Sequence, residues 1–358
     1  MEQQETRFPA DPLKGITPAL CALFRLSPED LHAAYQSREN YRVFTRRKKS
    51  GGTRRLVEAP PDLAKAQSAI ATVLSRHLPR ELAHNRLTRT VHGFVPGRSP
   101  MSNALRHRVS FDFFICDLKD AFGQINADCL RELLVRYGFN AEEVELLTAI
   151  TTFQGSLPQG AASSPVLLNY ACRDLDLALK QTTHRLQQDY RRQNFWLRIA
   201  DGVWPRLVYT RYADDLCLSS DYAELLDLAI PEFLRTIAEY GFVINSRKTR
   251  RLDLKHGSVS ITGLSVNGNG LKVPIRPWRG GTWNRCINVR LSRKRLGQYR
   301  SLLHHAARGE RSQEEVEGVL GWVRSVYCGS IPSQLKLPYA RYRAAVAQGL
   351  VPLTRHHP

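Results

Sequence analysis

Asp214 and Asp215 stand side by side between two β-prone runs, Leu207-Val208-Tyr209-Thr210-Arg211-Tyr212 and Leu216-Cys217-Leu218-Ser219. Two carboxylates about 4 Å apart repel by roughly 1 to 4 kcal/mol, depending on the local dielectric, unless a positive charge sits with them. A lone Asp-Asp is commonly no more than a solvated turn. Here a third carboxylate, Asp117, ends another apolar run, so folding can bring all three to one edge of a sheet. Carboxylates with no matching His or Cys suit a hard, oxygen-seeking cation, magnesium before zinc. Two such ions about 3.5 to 4 Å apart serve in-line phosphoryl transfer, one activating an attacking hydroxyl and the other stabilising the leaving oxygen. Asp117, Asp214 and Asp215 are therefore candidate ligands of two Mg2+ ions, with Mn2+ able to substitute and Asp215 the more peripheral.

The elements that must position these residues can be read from periodicity. From Ser110, Phe111, Phe113 and Ile115 alternate with Asp112, Phe114 and Cys116, which predicts a strand ending at Asp117. The two runs around Asp214-Asp215 predict a hairpin with both carboxylates at its bend. Ser164-Pro165 opens a helix lined by Leu168, Cys172, Leu175 and Leu179; a second helix over 223–240, interrupted at Pro231, stops at Gly241 before a strand over 242–244. Strand, helix, hairpin, helix and strand make a split β-α-β sheet with helices on one face.

Upstream, Ser27-Pro28-Glu29-Asp30 opens a short helix. Thr45 to Arg55 sets six cations around Gly51-Gly52, a turn between two strands, and Asp62 caps a helix carrying Leu63, Ala66, Ile70, Val73 and Leu74. Downstream, the chain from about Pro277 reads as helical and basic, with Arg290, Arg293, Lys294 and Arg295 within a turn or two, and Ser312 to Glu315 fits a capping box.

The composition agrees with a nucleic-acid chemistry. Among 358 residues, 52 lysines and arginines face 33 acids, a formal charge of +19, while 42% hydrophobic content excludes disorder as the dominant state. An excess of that size points to a polyanion, nucleic acid before an anionic membrane. The uncharged stretch from Leu146 to Cys172 is broken by Gly155, Pro158, Gly160 and Pro165, so no membrane span is expected. The start shows no apolar leader, which leads us to expect a cytoplasmic protein. Seven cysteines without a C-x-x-C argue against a zinc site or a disulfide framework, and most are expected as buried small hydrophobes.

Tyr212-Ala213-Asp214-Asp215 is similar to the Y-x-D-D signature of reverse transcriptases, and other blocks follow in the family's order. Asp117-Leu118-Lys119-Asp120-Ala121-Phe122 resembles the first catalytic block, and Leu157-Pro158-Gln159-Gly160-Ala161-Ala162-Ser163-Ser164-Pro165 the L-P-Q-G-x-x-x-S-P block. Arg54-Arg55-Leu56-Val57, Asn245 to Lys248 and Ile261-Thr262-Gly263-Leu264 resemble further blocks, so the likeness covers about residues 45 to 270. His92-Gly93-Phe94-Val95-Pro96-Gly97-Arg98-Ser99 and Asn103-Ala104-Leu105-Arg106-His107 look like elements of the retron-type branch.

The resemblance implies an α+β right-hand polymerase: N-terminal helices and fingers over 1–109, a palm over 110–275 that includes a fingers portion around 140–165, and a helical thumb over 276–358. It implies that the carbonyl of Leu118 adds a metal ligand. Phe122 becomes a steric gate against a 2′-hydroxyl, selecting dNTPs. Arg54, with Lys48, Lys49 or Arg55, holds the triphosphate, and Gln159 and Gly160 line the nucleotide pocket. Lys248 reads either as the general acid for departing pyrophosphate or as a surface lysine. Asn103 and His107 read either as RNA contacts or as structural residues, and Arg290, Arg293, Lys294 and Arg295 as a grip on the RNA-DNA product or a solvated face.

In the retron branch, a structured noncoding RNA is both template and primer, and a separately encoded effector protein in antiphage defence is an expected partner. Ala161-Ala162 in place of Pro-Thr, Gly123-Gln124 in place of Pro-Ser, and an insert over about 182–205 depart from the pattern. They leave open another defence-associated or group II intron-like reverse transcriptase with a linear or template-independent DNA product. A catalytically silent RNA-binding scaffold is the rival of another class.

Overall fold

The structure, a computed structural model, describes residues 11–47, 53–195, 204–267, 272–274, 283–285, 288–327 and 330–354. A two-stranded antiparallel ribbon, β1 (Arg42–Arg47) and β2 (Thr53–Glu58), precedes the long helix Pro61–His84. The central sheet is antiparallel, in the order β4-β5-β3-β6, from β3 (Asp112–Asp117), β4 (Leu207–Tyr212), β5 (Asp215–Ser220) and β6 (Arg250–Asp253). A smaller sheet of order β11-β8-β7 follows, from β7 (Val259–Ile261), β8 (Leu264–Asn267) and β11 (Asn288–Leu291), and β9 (Lys272–Pro274) pairs with β10 (Trp283–Arg285). Helices Arg293–Ala307, Gln313–Val326 and Ser333–Ala347 end the chain.

The expected strand and hairpin are present, and their register places Asp117 and Tyr212 each opposite Asp215. Helices Arg173–Gln193 and Ala223–Glu239 cover one face of the sheet, where Phe233 meets both Phe114 and Tyr209 edge-on. The other face is covered too: Phe113 and Cys217 join a second core with Ala104, Val259 and Ile261. Burial on both faces explains why the strands read as near-continuous apolar runs.

Several expectations are corrected. The stretch 242–244 is not a strand of the sheet; it makes a single bridge from Ile244 to Leu118, and β6 takes the edge beside β3. Pro231 does not interrupt its helix, because Leu225, Leu226, Ala229, Phe233 and Ile237 bury one stripe on both sides of it. That packing outweighs the roughly 3 kcal/mol a proline costs inside a helix. The helix after the basic ribbon starts at Pro61 with Pro60 at its N-cap, so Asp62 lies in the first turn and is not the cap. The helix opened at Ser164 is divided at Cys172 into Ser164–Ala171 and Arg173–Gln193, and the first part of the insert only prolongs the second of these. Arg290 lies on strand β11 and not on a helix, whose first turn holds Arg293, Lys294 and Arg295. Cys116, Cys172 and Cys217 are buried as expected, whereas Cys129 is exposed.

Candidate active site

A cleft of about 820 Å3 opens where β2, the end of β3, the β4–β5 turn and the 153–165 segment meet. The turn that carries Asp214 is strained: Ala213 has φ +59°, a left-handed conformation that costs a residue with a Cβ roughly 1 to 2 kcal/mol. Its support comes from Arg211, wholly buried one residue before the signature. The Arg211 guanidinium donates to the Ala213 carbonyl at 3.1 Å, to Asn169 Oδ1 at 3.0 Å, and to both oxygens of the buried Asp176 at 2.6 to 3.1 Å. Asn169 Nδ2 in turn donates to the Gly93 carbonyl at 2.9 Å. Gly93 packs so closely on the turn that a Cβ there would lie 2.2 Å from the Ala213 nitrogen.

Sequence reasoning missed Arg211, Asp176 and Asn169. The available signal was a charged residue in the middle of a strand that is otherwise apolar, which demands a buried partner.

Asp117 is 4% exposed and accepts from Lys248 Nζ at 2.6 Å. Its backbone carbonyl accepts from the Asn245 N–H at 2.8 Å, and the Leu118 N–H donates to the Asp214 carbonyl at 2.9 Å, which ties the strand end to the turn. Burial raises the Asp214 carboxyl above the usual carboxylate range, and the Asp117 charge adds to this, while Lys248 and Arg54 partly oppose it. Asp215 is pushed up to about 7, first by the protein packed round it and then by Asp214 and Asp117, although the residue keeps an open side to solvent. Three acids thus lie within electrostatic reach of one another with too little positive charge to satisfy them.

Only two of the three share the cleft. Asp117, Asp214 and Lys248 line it together with the Leu118 segment, whereas Asp215 borders an adjoining cavity with Tyr212, Thr262 and Gly263. Among the described residues no three His, Cys, Asp or Glu side chains form a ready-made metal cluster. Asp215 lies beside this pair, directly opposite Asp117 in the β3–β5 register. Two carboxylates lining one cleft still fit Mg2+, which commonly takes one or two carboxylates and completes its shell with water and substrate phosphates.

On the opposite wall, β1 and β2 set Arg46 directly across from Arg54, a like-charge pair that favours an anion between or beside the two. Arg54 and Arg55 line the cleft; Lys48 and Lys49 lie outside the described residues. Half-buried Phe122 forms part of the wall. Gly160 has φ +124°, and a Cβ there would meet the Val57 carbonyl at 2.2 Å, so glycine is required for the 157–160 loop to lie on β2. Gln159 accepts from the Val57 N–H through its carbonyl and donates from its side chain to Asp120 Oδ1 at 3.2 Å, which brings a further, unforeseen carboxylate to the cleft.

The RNA contacts expected of Asn103 and His107 are corrected. Both are buried, and the His107 ring is held between Ser219 Oγ at 2.6 Å and Thr210 Oγ1 at 2.7 Å, with burial lowering its pKa to about 3. A neutral ring with both nitrogens engaged inside the protein has nothing left for RNA. Arg293 and Lys294 are exposed, whereas Arg295 packs over the Trp322 ring at 5.2 Å and against Gly263 at the β7–β8 turn.

The profile of the family described as Reverse transcriptase (RNA-dependent DNA polymerase) matches residues 47–266. The chain therefore belongs to the reverse transcriptase family, and its helices and antiparallel sheet are consistent with an α+β right-hand fold. It is similar to the Retron Mx65 reverse transcriptase of Myxococcus xanthus, 28% identical over 82% of this chain and 63% of that protein. It is likewise similar to the Retron Ec86 reverse transcriptase of Escherichia coli, 28% identical over 84% of this chain and 80% of the relative. The chain spans about six tenths of the length of the Mx65 relative and of the Mx162 relative, 63% and 59%. Among solved structures, apo telomerase from Candida tropicalis aligns with a TM-score of 0.48 at 11% identity, over 86% of this chain and 57% of that one. Among the described residues no helix is long and apolar enough to cross a membrane.

Proposed function

We propose that this protein is an RNA-directed DNA polymerase of the retron type, which copies a structured noncoding RNA into DNA and takes its primer from the same RNA. The observation that carries the reading is the meeting of Asp117 and Asp214 in one cleft with Arg54 and Phe122 on its other walls, in a chain of the reverse transcriptase family. Asp117 and Asp214, with Asp215 beside them and the Leu118 carbonyl, are the residues that would hold magnesium. When bound there, the metal supplies charge neutralisation and an activated hydroxyl for nucleotidyl transfer.

The chain's own residues do the remainder. Arg54 and Arg55 bind the triphosphate by guanidinium forks, with Lys48 and Lys49 in support. Phe122 excludes a sugar bearing a 2′-hydroxyl, Gln159 and Gly160 shape the nucleotide floor, and Lys248 holds a proton at Nζ in the cleft where pyrophosphate departs. The fingers, palm and thumb follow residues 1–109, 110–275 and 276–358, with Arg290, Arg293 and Lys294 on the thumb side facing the RNA-DNA product. On this reading a noncoding RNA is the template, the setting is cytoplasmic, and a separately encoded effector protein is the partner in antiphage defence.

The deciding assay is primer extension with dNTPs and Mg2+. Wild type should extend, and Asp214→Asn should lose about a thousandfold in rate, the several kcal/mol that metal-held charge contributes. Extension that survives Asp214→Asn, or that wild type never shows, overturns the reading and leaves an RNA-binding scaffold. A branched RNA-DNA product marks the retron type, and only linear cDNA marks another branch.

A further inference from the structure

A separate cavity of about 420 Å3 opens at the outer edge of β4, lined by Leu207, Val208 and Tyr209 near that strand's start. Tyr209 precedes Tyr212 by three residues, about 10 Å of strand, so the cavity is distinct from the catalytic cleft. Its lining holds the cations Arg86, Arg89, Arg106 and Lys180 among threonines, with no carboxylate among the lining residues.

Arg86 and Arg89 are exposed and Arg106 and Lys180 half-buried, and the fold gathers them from three separate segments. Lys180 leaves its own helix to donate to the Arg86 carbonyl at 2.5 Å, and Arg86 has a left-handed backbone, φ +56°. Burial depresses Arg106, and Arg89, Arg108 and Arg98 depress it further; burial and then Arg86 do the same to Lys180. No acidic residue figures among the groups that act on either. Arg106 Nε is buried with no hydrogen-bond partner, a donor whose desolvation is uncompensated. Like charges gathered at one place without a carboxylate among them raise the local positive potential and favour an anion there. The planar forks of three arginines match phosphate oxygens, and the exposed Arg86 and Arg89 leave the site accessible to a chain of phosphates.

We propose that this cavity docks the phosphodiester backbone of the RNA at a point outside the catalytic cleft, so that the palm edge holds the template RNA while the cleft copies it. The proposal rests on the reading of the chain as an RNA-copying enzyme. It names the phosphodiester of RNA as the ligand, with free inorganic phosphate as the competing source of the same chemistry.

The test compares the full-length wild type with the variant Arg86→Gln/Arg89→Gln/Lys180→Gln, probed with a labelled stem-loop RNA in filter binding across a salt series. The magnitude of the slope of log affinity against log salt should fall by about two to three, roughly one per cation removed. Extension of a DNA primer on an RNA template too short to leave the cleft should stay within about twofold of wild type, since none of the three residues lines that cleft. Arg89→Lys alone, which keeps the charge, should retain the wild-type slope. An unchanged slope and RNA affinity in the triple variant overturns the proposal. So does thermal stabilisation of wild type by inorganic phosphate that the triple variant loses while its RNA binding is intact, which marks a free-phosphate site. Failure of wild type to extend the short template is a failure of the polymerase reading, and the slope is read independently of it.

Discussion

Replacing Asp176 by asparagine should cost far more than one hydrogen bond. Asp176 has no solvent exposure and accepts from Tyr209 Oη at 2.7 Å and from the Arg211 fork at 2.6 to 3.1 Å. Asparagine keeps the shape and one acceptor but leaves a guanidinium buried without a counter-charge, a loss of about 3 to 5 kcal/mol. Arg211 also holds the Ala213 carbonyl, so the damage reaches the turn that presents Asp214. Replacing both partners, Asp176→Leu with Arg211→Met, removes charge and counter-charge together, and stability should recover to within about 1 to 2 kcal/mol of wild type.

Activity should not recover in that double variant, because the Ala213 carbonyl has then lost its anchor and the left-handed turn is free to relax. The measurements are urea denaturation followed by circular dichroism, and primer extension, on wild type, Asp176→Asn, Asp176→Leu, Arg211→Met and the double variant. A single Asp176→Asn cost below about 1 kcal/mol, or a double variant whose loss equals the sum of the two single ones, refutes the account of this pair. Full activity in the stable double variant refutes the link from Arg211 to the catalytic turn.

Other expectations are simpler. Phe122→Ala should admit rNTPs, read as ribonucleotide incorporation in primer extension, and unchanged sugar discrimination counts against the gate. Gly160→Ala forces a Cβ to 2.2 Å from the Val57 carbonyl at a backbone angle of +124°. It should lower stability by about 1 to 3 kcal/mol and raise the KM for dNTPs, and neutral behaviour in both would mean the loop does not lean on β2. The Asp215 carboxyl, raised to about 7, holds its proton in the folded protein to a higher pH than in the unfolded chain. Its contribution therefore favours folding at low pH and is lost as pH rises from the ordinary carboxylate range through about 7. Asp215→Asn should accordingly raise the denaturation midpoint at pH 8 and leave it near wild type at pH 4, with the opposite order refuting the assignment. Cation binding at this acid must displace the proton, so the Mg2+ requirement for extension should rise as pH falls below about 7.

Local pattern sufficed for the strand ending at Asp117 and the hairpin carrying Asp214-Asp215, because alternation and turn chemistry act over a few residues and both lie in sharply bounded apolar runs. The glycine at 160 was legible in kind, though only the packing of its loop on β2 supplied the carbonyl that forbids a side chain. Pro231 misled because propensity is local and weak, while the stripe from Leu225 to Ile237 is buried by a sheet formed from distant segments. The stretch 242–244 misled for the same reason, since pairing partners for β3 are settled by register and by what else competes for the edge.

Asn103 and His107 show the sharpest limit. Their spacing put them on one face, but whether that face meets RNA or the core was decided by Ser219 and Thr210, more than a hundred residues away. The sequence by itself determined the family, the acids and the elements that bear them, since these rest on residue order and short-range periodicity. The tertiary structure alone decided which two acids share the cleft, that a buried Arg211–Asp176 pair braces their turn, and that cations from three separate segments crowd the edge of β4. Electrostatics and packing act through space, and the distances that govern them exist only once the chain has folded.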